Sequence, residues 1–174
     1  RRVLFRSALY EKVKAHFGAS LDLQSVFRDD LGSIQLSWNQ SSQSLEWNVD
    51  ALVTDFTSMY ADDPLKTLVH VQRFGEVLSI FEPTKQLLIA MQAYGSVDGD
   101  HLAIALLQMG GEQFVFKGTA AHDRLTGNSK DNFFYGYAGH DVMAGGEGDD
   151  TYFYGVGDGN DVVLDVGQSQ QDVI

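Results

Sequence analysis

The chain contains no cysteine among its 174 residues, so neither a disulfide framework nor a thiolate metal site can form. Proline is nearly absent as well, with only Pro64 and Pro83. No run of apolar residues approaches the roughly 20 needed to cross a bilayer as a helix. Positive charge is scarce: 12 Lys and Arg stand against 24 Asp and Glu. That balance argues against a nucleic acid partner or an anionic membrane surface, both of which call for basic patches. Catalytic signatures are missing too. There is no His-Glu-x-x-His helix, no Gly-x-Ser-x-Gly elbow and no glycine loop ending in Gly-Lys-Ser/Thr. Asp98-Gly99-Asp100 hints at an EF-hand, but Leu102 and Met109 stand where its loop needs oxygen ligands.

What is present is apolar bulk, 44% of residues, and a very uneven distribution of acid. Gly118–Ile174 holds nine Asp and one Glu against Arg124 and Lys130, together with 11 of the 18 glycines. This change of composition marks a boundary at Lys117–Gly118 and leaves a carboxylate density that needs a cation. Residues 1–7, Arg-Arg-Val-Leu-Phe-Arg-Ser, coincide with the translated end of a common sequencing adapter. They are read as an artefact, and the chain as a fragment of a longer protein.

Residues 8–117 are expected to form a small, mainly helical domain with one β-hairpin. Leu9, Val13 and Phe17 make one stripe of a short helix that Gly18 can end. Ile34, Leu36 and Trp38 alternate with polar residues, as do Leu45, Trp47 and Val49. A polar loop joins these two runs, giving half-buried strands with two tryptophans on the apolar face. Helical spacing returns in Leu52, Val53, Phe56, Met59 and Tyr60. Asp63-Pro64 caps and opens the next helix, through Leu65, Leu68, Val69 and Leu78. Glu82-Pro83 precedes another, over Leu87, Leu88 and Met91, with Gly95 as its stop, and Asp100 caps a last apolar segment, His101–Met109. These stripes read as core, and His16, His70 and His101 as surface or satisfied helix residues.

Beyond Lys117 the chain repeats. Asp123, Asn132, Asp141 and Asp150 are spaced by nine residues, and Asp161 and Asp172 follow at intervals of 11. Two places after each stands a bulky apolar residue: Leu125, Phe134, Met143, Tyr152, Val163 and Ile174. Five places before the first four stands a glycine: Gly118, Gly127, Gly136 and Gly145. Gly145-Gly146-Glu147-Gly148-Asp149-Asp150-Thr151-Tyr152-Phe153 satisfies G-G-x-G-x-D-x-U-x at every specified position. This tail resembles the RTX (repeats-in-toxin), or hemolysin-type, calcium-binding repeat.

The resemblance implies a parallel β-roll, a β-solenoid, over residues 118–174, which makes the whole chain α+β. Six residues of each nonad form a glycine-rich turn and three a short strand whose middle side chain enters the core. Calcium takes six to eight oxygens, supplied by turn carbonyls and aspartates. The implied metal set is Asp123, Asn132, Gly136, Gly139, Asp141, Gly145, Gly146, Gly148, Asp150, Gly157, Gly159, Asp161 and Asp172. Two nonads complete a coil, so Asp123, Asp141 and Asp161 share one edge, and Asn132, Asp150 and Asp172 the other. Thr119 and Ala121 depart from the pattern in the first nonad, Lys130 and Asn132 in the second. Two extra residues intervene around Tyr154-Gly155, and Gln168–Gln171 replaces a glycine turn. Nonads three and four are therefore expected to carry the best sites. His122 and His140, at the fifth place of their nonads, are expected to face solvent.

By the same resemblance the chain is expected to be a non-catalytic, calcium-binding module of a large secreted bacterial protein, toxin- or adhesin-like. Such blocks are unfolded in low-calcium cytosol, leave by the type I secretion machinery and fold outside on meeting calcium. The alternative is the tail of an RTX lipase, protease or epimerase whose catalytic domain lies upstream.

Overall fold

Asp63 and Pro64 set the longest helix among the described residues. Oδ1 of Asp63 accepts from the backbone N–H of Lys66 at 3.0 Å, and Pro64, which has no N–H to satisfy, takes the first helical position. The computed structural model describes residue 15 and residues 18–80, 84–96 and 100–164. It divides into two units, Arg1–Gly111 and Glu112–Ile174. The first contains α1 (residues 18–25), α2 (Arg28–Gly32), β1 (Gln35–Asn39), β2 (Ser44–Asn48), α3 (Asp50–Asp62), α4 (Pro64–Ile80), α5 (Lys85–Gln92) and α6 (His101–Gln108). Apart from Ala15, the helix expected to end at Phe17 lies outside the described residues, as do residues 1–7 and Glu82-Pro83.

The core of this unit draws on the expected stripes, and on α4 it adds Val71 and Phe74 to them. Leu52 and Phe56 of α3 are buried with Leu68, Val71, Phe74 and Leu78 of α4, Leu87 and Met91 of α5, and Leu102, Ala105 and Leu106 of α6. Phe74 packs against Phe27 with the rings tilted, at 5.0 Å, and meets Phe56 edge-on at 6.2 Å. His70 is satisfied within this group, 2.9 Å from Asp30 Oδ2. Asp100 caps α6 as expected, its Oδ1 accepting from Ala103 N–H at 2.9 Å. Two expectations need correction. Gly18 does not end a helix, for helical backbone continues through residue 25. A glycine in helical backbone costs only about 1 kcal/mol against alanine, too little by itself to stop a helix. The expected hairpin forms, antiparallel with Leu36 opposite Trp47, yet it is not half-buried on β1: Leu36 and Trp38 are 55% and 59% exposed.

The second unit is a parallel β-roll. Its strands are β3 (Val115–Lys117), β4 (Arg124–Thr126), β5 (Phe133–Tyr135), β6 (Val142–Ala144), β7 (Thr151–Phe153) and β8 (Val162–Val163). They alternate between two sheets, β3-β5-β7 and β4-β6-β8. Val115 pairs with Phe133, Phe133 with Thr151, and Arg124 with Val142, so each coil takes 18 residues. The pairing of Val142 with Val162 takes 20, which places the two extra residues in the turn after β7. The side chains that enter are the apolar column of the nonads. One sheet presents an aromatic stack, Phe116 on Phe134 at 5.2 Å and Phe134 on Tyr152 at 5.0 Å. The other presents Leu125, Met143 and Val163 against it. The roll begins at Val115, ahead of the compositional boundary, because its first strand carries an apolar column residue but no aspartate.

Candidate metal centre

Each nonad turn is closed by its sixth residue lying over its first. A Cβ added at Gly136 would stand 2.6 Å from Asp141 Oδ2, and one at Gly118 would stand 2.9 Å from Asp123 Oδ2. Gly127 is overlaid in the same way by Asn132, and Gly145 by Asp150. The first glycine column therefore exists to admit an aspartate or asparagine side chain into the mouth of its own turn.

The other carboxylate oxygen ties one coil to the next. Asp123 N–H donates to Asp141 Oδ1 at 2.8 Å, and Asp141 N–H donates to Asp161 Oδ1 at 2.9 Å. On the second edge Asn132 N–H donates to Asp150 Oδ1 at 2.8 Å. The structure thus brings Asp123, Asp141 and Asp161 into one row, and Asn132 and Asp150 into another; Asp172 lies outside the described residues. Gly139 bridges Gly159 in the next coil along the first row, and Gly157 lies in the turn before it. Along the second, a Cβ on Gly146 would stand 2.5 Å from Asn128 O, and one on Gly148 the same distance from Lys130 O. Both glycines have positive φ, +113° and +107°, so side chains there are excluded by backbone strain and by the carbonyls beneath.

Burial decides what these turns can hold. Asn132, Asp141 and Asp150 have no exposed surface. Asp141 Oδ2 is buried and receives no hydrogen bond. A buried carboxylate oxygen without a donor is costly, and a hard cation relieves it by direct coordination. Among the described residues no three carboxylate or imidazole groups converge as a metal cluster. An ion held in a turn would therefore take most of its oxygens from the backbone, as calcium does and zinc does not. The donor set fits calcium.

The family model of the RTX calcium-binding nonapeptide repeat matches residues 117–152, in four copies. These residues are RTX repeats. No curated protein and no solved structure matches the chain. The RTX match runs from the last residue of β3 to Tyr152 in β7 and covers the four turns in which a sixth residue overlies a first. It makes the roll a calcium-binding module.

The fifth column of the RTX turns does more than face water. His140 N–H donates to His122 Nδ1 at 2.8 Å, with the two rings stacked at 5.0 Å. Asp149 N–H donates to Asp131 Oδ1, also at 2.8 Å, at the same place on the other edge. These side chains tie neighbouring coils beside the aspartate rows. The signal was the 18-residue recurrence of a polar acceptor at the fifth place, His122 with His140 and Asp131 with Asp149.

Proposed function

We propose that this chain is a folding and calcium-sensing module of a large secreted RTX protein, toxin- or adhesin-like, exported through type I secretion machinery before the roll forms. The observation that carries the reading is the buried Oδ2 of Asp141, which receives no hydrogen bond. A chain this rich in glycine loses much conformational entropy on ordering, and bound metal is the term that offsets it. In the low calcium of a cytosol the roll stays open and can thread a channel; outside, millimolar calcium closes it. The module itself is non-catalytic, and the activity of the parent protein resides elsewhere.

The test is a calcium titration of the chain followed by far-UV circular dichroism. The expected midpoint lies at roughly 10⁻⁴–10⁻³ M, the range of extracellular calcium modules. Sheet signal already complete at submicromolar calcium would contradict folding after export.

A further inference from the structure

We infer that the first two turns of the roll close without a cation, and that its calcium sites begin at the third nonad. This rests on the calcium reading above and assigns it to particular turns.

In the first turn Asp123 Oδ2 is already supplied. Thr119 donates to it twice, through its backbone N–H at 2.7 Å and its hydroxyl at 2.8 Å. The hydroxyl oxygen in turn accepts from Ala121 N–H at 3.1 Å. In the second turn the sixth residue is neutral, and an Asn pair replaces an ion. Asn128 N–H donates to Asn132 Oδ1 at 2.9 Å, Asn132 Nδ2 donates to Asn128 Oδ1 at 3.1 Å, and Lys130 N–H donates to the same oxygen at 2.9 Å. An ion entering either turn must displace these donors from the lone pairs it needs, and in the second it meets an amide N–H₂ and no carboxylate.

The third turn differs at the same places. Tyr137 replaces Thr119 and Asn128 at the second position and has φ +65°, a conformation neither of those residues adopts. Gly139 replaces Ala121 and Lys130 at the fourth. No donor then reaches Asp141 Oδ2, although Asp141 is wholly buried. The fourth turn shares this backbone, with positive φ at Gly146 and Gly148. Polar side chains at position two therefore stand in for calcium in the first coil. That coil is a metal-independent platform against which β5 and β6 pair, and the calcium-dependent turns stack on it.

The experiment counts calcium ions bound per chain, by equilibrium dialysis of the full chain at millimolar calcium, with circular dichroism to verify the fold. Asp123→Asn keeps an acceptor for Thr119 and is expected to leave both count and midpoint unchanged. Asp141→Asn is expected to lose at least one ion and to raise the midpoint tenfold or more. Thr119→Gly with Ala121→Gly, which opens the first turn, is expected to add an ion even if Asp141→Asn fails to fold. Loss of an ion on Asp123→Asn, with binding otherwise intact, or no gain in the double variant, overturns the assignment. No calcium bound by the unaltered chain overturns the reading beneath it.

Discussion

The backbone N–H of Asp141 donates to Oδ1 of Asp161, 20 residues further on and one coil higher, at 2.9 Å. Asp141 thus serves two coils, its Oδ1 accepting from Asp123 N–H in the coil below and its Oδ2 lying over Gly136 in its own turn. Asp161→Ala removes the acceptor from a part-buried N–H and is expected to cost the roll about 1–3 kcal/mol. Asp161→Asn keeps an acceptor. The difference between the two variants in chemical denaturation at saturating calcium measures the tie between coils, and the loss they share measures the charge.

Phe134 sits between Phe116 and Tyr152 in the aromatic stack and has no exposed surface. Phe134→Ala is expected to cost about 3–5 kcal/mol, and Phe134→Leu distinctly less. Sheet circular dichroism follows the roll, while tryptophan fluorescence isolates the helical unit, because Trp38 and Trp47 both lie there. The fluorescence transition should not move in either variant.

Burial, partly offset by the charge of Asp100, lowers the pKa of His101, whose Nδ1 lies 3.0 Å from the Tyr60 hydroxyl. The folded unit therefore holds this proton less readily than the unfolded chain. As pH falls past about 6.5 the unfolded chain takes up more protons, and the helical unit loses stability until the folded value is passed. Urea midpoints by tryptophan fluorescence in EDTA, from pH 8 to 5, are expected to fall over that window. His101→Gln should flatten the decline.

The repeat was the most legible part of the sequence, because its constraints are local. The first glycine column records the overlap of the sixth side chain on the first residue, and the apolar column records the core stack. The start of the roll was legible in principle: Phe116 stands nine residues before Leu125 in the same column, but without an aspartate nearby it reads as part of the preceding region. Alternation in β1 shows that Leu36 and Trp38 share a face, but it does not show whether anything covers that face. The closure of the first two turns by Thr119 and Asn128 was harder still. A departure from glycine reads as a weakened site, and only the hydrogen bonds show that the side chain at that place bonds the sixth residue of its own turn.

Coupling of calcium to the order of the roll alone is tested most directly by hydrogen exchange on the full chain, with saturating calcium and with EDTA. Thr151 N–H donates to Asn132 O and Val162 N–H to Asp141 O, each at 2.8 Å and each between coils. These two amides are expected to be protected in calcium and to exchange as in an unfolded chain in EDTA. The amides of Val71 and Leu78, buried in α4, should keep their protection in both. Equal protection of Thr151 and Val162 with and without calcium would contradict metal-coupled folding of the roll.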